Sequence, residues 1–246
     1  SINMNLYGND IIANIEIYPD QTLNQIPENF IGISIDYESI PYFNGNAETG
    51  INQIFIRLLS NMGIYGNGAG VLRISKGADI SWWNPSGVKK PKGIYYDINY
   101  DWVTAMTEVA RQSGVKFILG TNFAMHDVKL SKDWIFASGK LFPKNSILAF
   151  EIGESPDKYS NNYYTTQDLK TINIKSSDWN FEKYNIEYSN FVKSLKNSIQ
   201  IKTELAGPGF SESDWLLKLN EFISENKNDI NLITQKYYYF NKPFTV

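Results

Sequence analysis

Short runs of β-branched and apolar residues alternate with longer amphipathic stretches along this chain, and this alternation restricts the fold more than any other feature. The runs that predict strands are 30–35, 71–75, 115–121, 147–152, 202–206 and 230–240. Apolar residues spaced three and four apart predict helices at 51–62, 101–113, 134–141 and 181–197, and in a segment that begins at Ser213. Strands that alternate with helices form parallel sheets through right-handed crossovers, so the pattern predicts an α/β fold. A (β/α) barrel and an open doubly wound sheet both satisfy it.

The composition excludes several classes of function. The 246 residues include 23 basic and 26 acidic ones, a formal net charge of -3, whereas a nucleic-acid-binding domain needs a basic face. No apolar run approaches the roughly 20 residues of a membrane-spanning helix. Cysteine is absent and His126 is the only histidine, which excludes thiolate and His-rich metal sites. The glycines at 66–70 precede a strand, whereas dinucleotide-binding glycines follow one. We therefore predict no metal, no cofactor, no nucleic-acid partner and no membrane span.

Polar, small and aromatic residues follow the predicted strands, where a barrel carries its site. Carboxylates and aromatic rings at these positions suit a sugar ligand, although acidic residues after strands also occur as solvated loop ends. The residues predicted to contact a substrate are Asp36, Glu38, Ser75, Asp79, Asn122, Gly207 and Tyr238.

Other polar and aromatic residues have a structural explanation beside a functional one. Arg73 lies within a buried-type strand and is expected to pair with a barrel carboxylate. Glu151 lies within the strand at 147–152 and is expected to form hydrogen bonds in the interior. His126 follows a strand and is expected at the surface, while Trp82 and Trp83 could form a sugar platform or pack against their own loop.

Five segments carry a resemblance to a known family. The segment VLRISKGADISWWNPSG (71–87) resembles the second-strand region of glycoside hydrolase family 79, which contains heparanase and β-glucuronidases. The segments IPENFIGISIDYESI (26–40), FILGTNF (117–123), ILAFEIGESPDKY (147–159) and ELAGPGFS (204–211) resemble the first, third, fourth and fifth barrel strands of the same family. Because the five segments come in the family's order, the resemblance extends over nearly the whole chain.

The resemblance implies a (β/α)8 TIM barrel that is incomplete in this chain, with about six strand–helix units at 26–246. Residues 1–25 would form a separate segment, with a strand at 11–18 that joins a β-sandwich in the family. Family members are retaining hydrolases that use two glutamates, whose carboxyl groups lie about 5 Å apart in such enzymes. The resemblance alone suggests an extracellular or lumenal location.

The sequence departs from the family at the catalytic positions. The family's acid/base lies in a G-N-E-P-D motif, and Gly153-Glu154-Ser155-Pro156-Asp157 aligns with it without gaps. Ser155 therefore stands at the acid/base position, and a hydroxyl cannot replace a carboxylic acid as proton donor. Glu154, one residue away, is the candidate substitute. The family's nucleophile comes from the eighth strand, beyond the six strands predicted here, and Lys236 begins a run where the family has a histidine.

These departures leave two hypotheses for the function and one for partners. The first is a catalytically degenerate homologue that binds a glycan or has a structural, assembly role. The alternative is an active retaining hydrolase of uronic-acid-containing glycans, completed by a second chain that supplies the nucleophilic glutamate. Because the sixth strand would be an open edge, we expect a second polypeptide or self-association to cover it.

Overall fold

The structure of the protein is a computed structural model that describes residues 2–5, 12–16, 18, 20, 29–46, 48–63, 70–165, 169–199, 203–211 and 213–236. In chain order the strands and helices are β1 (Ile2–Asn5), β2 (Ile12–Ile15), β3 (Gly32–Ile35), α1 (Ile40–Asn44), β4 (Gly45–Asn46), β5 (Gly50–Ile51), α2 (Gln53–Met62), β6 (Val71–Ile74), β7 (Ser81–Trp83), β8 (Tyr96–Ile98), α3 (Tyr100–Ser113), β9 (Lys116–Thr121), α4 (Val128–Leu141), β10 (Ile147–Ile152), β11 (Tyr164–Thr165), β12 (Thr171–Ile172), α5 (Phe181–Ser198), β13 (Leu205–Phe210), α6 (Ser213–Leu216), α7 (Leu219–Asn226) and β14 (Leu232–Gln235).

A six-stranded parallel sheet carries the fold. Its strand order is β14-β13-β10-β9-β6-β3, so each strand lies beside the strands that precede and follow it in the barrel sequence. A doubly wound sheet would reverse its order at a switch point. The sequential order therefore confirms the predicted incomplete (β/α)8 barrel and decides between the two folds that the alternation allowed.

The core lies on both faces of the central strands. Every residue of β13 is buried, as is typical of parallel strands that are covered on both sides. Aromatic rings fill the space between β13 and the helices α5 and α7. Tyr188 on α5 contacts Phe222 on α7 with ring centroids 4.9 Å apart, and Phe210 on β13 lies 5.7 Å from Phe222. Phe210 also lies 5.5 Å from the Tyr184 ring of α5, so this packing holds the end of β13 against both helices.

Asparagine and aspartate side chains determine where the long helices begin. Asn52, Asn99, Asp127 and Asn180 each accept a hydrogen bond from a backbone N–H in the first turn of α2, α3, α4 and α5. The prediction that the helix of the third strand–helix unit begins at 134 was therefore wrong by six residues, because Asp127 starts α4 at Val128. Gly114 ends α3 with φ of 72°, a left-handed conformation that favours glycine.

Several other elements differ from their predicted bounds. The strand predicted to end before 207–209 instead continues as β13 to Phe210, with an irregular register against β14 between Pro208 and Phe210. The helix predicted from Ser213 is divided into α6 and α7. The strand predicted at 11–18 is β2, which pairs antiparallel with β1, a strand that the pattern missed. Of the strand predicted at 230–240, residues 237–240 lie outside the described residues.

The sheet has two open edges among the described residues, at β3 and at β14. Apolar side chains remain exposed at both: Ile33 on β3 is 39% exposed and Ile233 on β14 is 41% exposed. Exposed strand edges with apolar residues are surfaces on which other chains pair. The open edge expected at the sixth strand is therefore accompanied by one at the first. None of the described helices combines the length and apolar character that crossing a membrane requires.

We predict that these edges cause association. Replacing both Ile33 and Ile233 with lysine should shift the protein toward the monomer, because charged edge residues oppose strand pairing. Sedimentation velocity across a concentration series measures this shift. Ile54→Lys is the matched control, since Ile54 is 73% exposed and lies on a helix, α2, and not on an edge strand. A wild-type protein that stays monomeric at every concentration would contradict the prediction.

Candidate functional site

The carboxyl ends of the six parallel strands meet at one end of the sheet, which we call the mouth. In barrel enzymes this end carries the site. The side chains that follow the strands here fall into a buried framework and two clusters, one beside β3 and β6 and one beside β10 and β14.

Asp79 is the centre of the framework. It lies in a short 3-10 turn after β6 and is fully buried. Its carboxylate accepts hydrogen bonds from the loops after β9 and β10: from Phe123 N (2.8 Å), Ala124 N (2.9 Å), Glu154 N (2.9 Å), Tyr159 OH (2.6 Å) and Tyr163 OH (3.2 Å). Burial raises the pKa of the Asp79 carboxyl to about 6, and the hydrogen bond from Tyr159 opposes that rise. One carboxylate thus joins the loops of three successive strands.

An ion pair crosses the interior below the mouth. Arg73 on β6 places Nη2 2.6 Å from Oε2 of Glu151 on β10, and its Nη1 donates to Ser34 Oγ at 3.1 Å. This confirms the expectation that Arg73 pairs with a barrel carboxylate and that Glu151 is an interior partner. The other carboxylate oxygen of Glu151, Oε1, is buried without a hydrogen-bond partner among the described residues.

Glu154, Ser155 and Lys236 form the cluster beside β10 and β14, which we call the closed cluster. Ser155 Oγ donates to Glu154 Oε1 at 2.7 Å and accepts from Lys236 Nζ at 2.8 Å, while Lys236 also forms an ion pair with Glu154. Lys236 is held in place by its backbone N–H, which donates to Phe210 O at 2.7 Å. Ser155 has φ of 49°, a left-handed conformation that is uncommon for residues other than glycine.

The closed cluster is shielded from water. Glu154 is 2% exposed, and the described contacts of its carboxylate are to Ser155 and Lys236. Burial lowers the pKa of Lys236 to about 7, with the charge of Arg73 acting in the same direction. The charge of the Glu151 carboxylate opposes that shift. Chemically, the cluster joins an acid and a base to each other.

The second cluster, beside β3 and β6, is open to solvent, and we call it the open cluster. Tyr164 OH donates to Glu38 Oε2 at 2.8 Å, and Lys76 Nζ lies 4.0 Å from Asp36 Oδ2 and 5.7 Å from the centre of the Tyr164 ring. Glu38 and Tyr164 line a small cleft together with Tyr95, which is 50% exposed. The structure therefore brings the predicted residues Asp36 and Glu38 together with aromatic rings and an ammonium group.

The other predicted contact residues occupy different environments. Asn122 Nδ2 donates to the backbone oxygens of Asp79 and Ser81, so its amide holds the loop after β6. Ser75 is fully buried, and its hydroxyl has no hydrogen-bond partner among the described residues. Gly207 lies inside β13, where a side chain would meet the Tyr188 hydroxyl at 2.5 Å. Tyr238 lies outside the described residues, and the contact of all these residues with a substrate stays a prediction.

Three residues of the two clusters were not predicted as site residues from the sequence. Lys236 was noted as a departure from the family but not as a contact of Glu154. Lys76 follows β6 directly, and Tyr164 lies in the long connection after β10, in β11. The signal that could have found Tyr164 is its position beside another tyrosine in a loop that follows a barrel strand. His126, as expected, is surface-exposed, with Nδ1 3.6 Å from Glu187 Oε2.

We predict that Asp79→Ala destabilises the protein by about 3 kcal/mol or more at pH 7, because buried donors lose their acceptor. The pKa of about 6 lies above the ordinary 3.8, so the folded state binds this proton more tightly than the unfolded state. The contribution of Asp79 to the free energy of unfolding therefore falls as the pH rises from about 4 to about 6, by roughly 3 kcal/mol. Urea unfolding of both proteins across this pH range measures it.

The control for this prediction is Asp133→Ala. Asp133 forms an ion pair with Lys129 on the exposed surface of α4, and such pairs contribute about 1 kcal/mol or less. A difference between wild type and Asp79→Ala that grows with pH would show that the assigned pKa shift has the wrong sign.

Comparisons with known proteins agree with the architecture. No protein-family model and no curated protein sequence matches the chain. Among solved structures, a GH39 β-xylosidase from Caulobacter crescentus is similar with a TM-score of 0.53 and 13% identity, covering 87% of this chain and 47% of that one. A family 51 α-L-arabinofuranosidase from Bifidobacterium longum is similar with a TM-score of 0.52 and 14% identity, covering 88% and 46%. This chain thus spans less than half the length of either neighbour, and it has the fold of an incomplete TIM barrel similar to the barrels of these glycoside hydrolases.

Proposed function

We propose that this protein is a glycosidase-like barrel of the heparanase and β-glucuronidase type that binds a glycan without hydrolysing it. The glycoside hydrolase fold and the five segments that resemble family 79 support the family relation. The closed cluster supports the loss of catalysis, and the open cluster supports retained binding.

The observation that carries the proposal is the arrangement of Glu154, Ser155 and Lys236. A general acid must reach the glycosidic oxygen with its proton. Ser155 stands at the position of that acid, and its hydroxyl donates to Glu154 instead. The carboxylate of Glu154 is buried against Ser155 and Lys236. Neither side chain is therefore placed to protonate a leaving group in the mouth.

The open cluster has the chemistry of a sugar contact. A pyranose ring presents hydroxyl groups at its rim and an apolar face, and binding sites combine apolar walls with a few convergent polar groups. Glu38 and Asp36 can accept hydrogen bonds from hydroxyls, Lys76 can pair with an acidic group, and Tyr95 offers an exposed ring. This set would accept a uronic-acid-containing glycan.

We predict no hydrolysis of aryl β-glucuronides or heparan-type oligosaccharides above the uncatalysed rate, because the Glu154 carboxylate is buried against Ser155 and Lys236 and Ser155 cannot act as a carboxylic acid. A fluorogenic assay with purified protein and every chain that co-purifies with it measures the rate, and Glu154→Gln should leave it unchanged. Turnover that Glu154→Gln abolishes would overturn the proposal.

We further predict that Tyr95→Ala and Lys76→Met each weaken binding of a heparan-type hexasaccharide about tenfold, the loss expected for one ring or one charged hydrogen bond. Isothermal titration calorimetry gives the dissociation constants. Lys129→Met is the matched control, because Lys129 is an exposed lysine on α4. Equal affinities for all four proteins, or no heat of binding, would argue against the open cluster as the glycan site.

A second candidate function is favoured by the two open edges of the sheet. A second polypeptide that paired with β3 and β14 could complete the barrel and supply a nucleophilic glutamate, giving an active retaining hydrolase. Glu154 would then have to leave the closed cluster. Activity that appears only with a co-purifying chain and disappears with Glu154→Gln would favour this alternative over the first proposal.

A further inference from the structure

A groove separates α4 from the start of α3. One wall is a stripe of α4 on which Asp133, Phe136 and Lys140 follow one another at helical spacing. The opposite wall is formed by Trp83 of β7 and Tyr100, the first residue of α3. The groove has a volume of about 490 Å³, within the range of ligand sites, and shares no residue with the cleft of the open cluster.

The aromatic wall is fixed before any ligand arrives. Trp83 packs on the buried Trp134, with ring centroids 5.9 Å apart and planes at 30°, and meets Tyr100 edge to face at 5.2 Å. Tyr100 nevertheless remains 54% exposed. Rings that are already held in place lose little conformational entropy when a ligand binds, which favours affinity.

Polar groups accompany these rings. The Asp133 carboxylate, which is ion-paired with Lys129, and the Lys140 ammonium line the α4 side. A wall of aromatic rings beside a hydrogen-bond acceptor and a hydrogen-bond donor is complementary to a neutral sugar, which has apolar C–H faces and hydroxyls that both donate and accept. An apolar peptide helix would cover the Lys140 ammonium and the ion-paired carboxylate without replacing their hydration, which is costly.

We propose that this groove is a second glycan-binding site, specific for neutral β-linked oligosaccharides whose equatorial hydroxyls leave the pyranose faces flat and apolar. The site shares no residue with the cleft of the open cluster, and it stands whether or not that cluster binds a glycan. Its position on an outer helix would hold a long glycan beside the barrel.

The test is an NMR titration of the full chain with cellohexaose and xylohexaose. We expect amide shift changes concentrated at Trp83, Tyr100 and Phe136, and a loss of affinity of about fivefold or more in Tyr100→Ala and in Lys140→Met. Ile186→Ala, an exposed apolar residue on α5, is the matched control and should bind as the wild type does.

Three outcomes would overturn the inference: no shift changes with either hexasaccharide, changes confined to the open cluster, or equal affinity in both groove variants and the control. Binding of a protein partner at the groove that neutral hexasaccharides fail to displace would also overturn it. Failure of heparan-type binding at the mouth would affect only the proposed function, because the titration resolves the two sites.

Discussion

The oxygens of a buried carboxylate must accept hydrogen bonds from the protein. Those of Asp79 accept them from two other loops, the ones that follow β9 and β10. Because one of those donors is the backbone N–H of Glu154, the same contact sets the path of the chain into Ser155. The geometry of the closed cluster therefore depends on Asp79, which lies in the turn that follows β6. A chain that lost this carboxylate would lose the common anchor of three barrel loops.

The two clusters at the mouth differ in how their charges are arranged. Asp36 and Glu38 lie beside the first two strands, in the cluster that is open to solvent. Glu154, Ser155 and Lys236 instead pair with one another in the closed cluster, where the Glu154 carboxylate is buried. The chemistry available at the mouth therefore depends on where its charges are paired as much as on which residues are present.

The alternation of strands and helices could predict the parallel sheet, because right-handed crossovers allow few strand orders. The pairing of Arg73 with a carboxylate could be predicted because a buried guanidinium requires a partner of opposite charge. The contact of Lys236 with Ser155 could not be predicted, since it joins residues 81 apart and depends on the irregular register between β13 and β14. The start of α4 was missed because its cap, Asp127, precedes the apolar spacing that reveals the helix. Glu38 was predicted as a contact residue from its place after a strand, but the Tyr164 ring that contacts it comes from a distant loop.

The strand order has a consequence for motion. β10 lies in the middle of the sheet, held by neighbours on both sides, whereas β14 lies at an edge with exposed apolar residues. Local opening is easiest where few buried contacts resist it, so amide hydrogens should exchange faster along the edge strands β3 and β14 than along the central strands β9 and β10. Lys236 follows an edge strand, whereas Glu154 and Ser155 follow a central one. Fraying of β14 would therefore take the Lys236 ammonium away from Glu154, and the carboxylate would keep its contact with Ser155 while the central strands stayed paired.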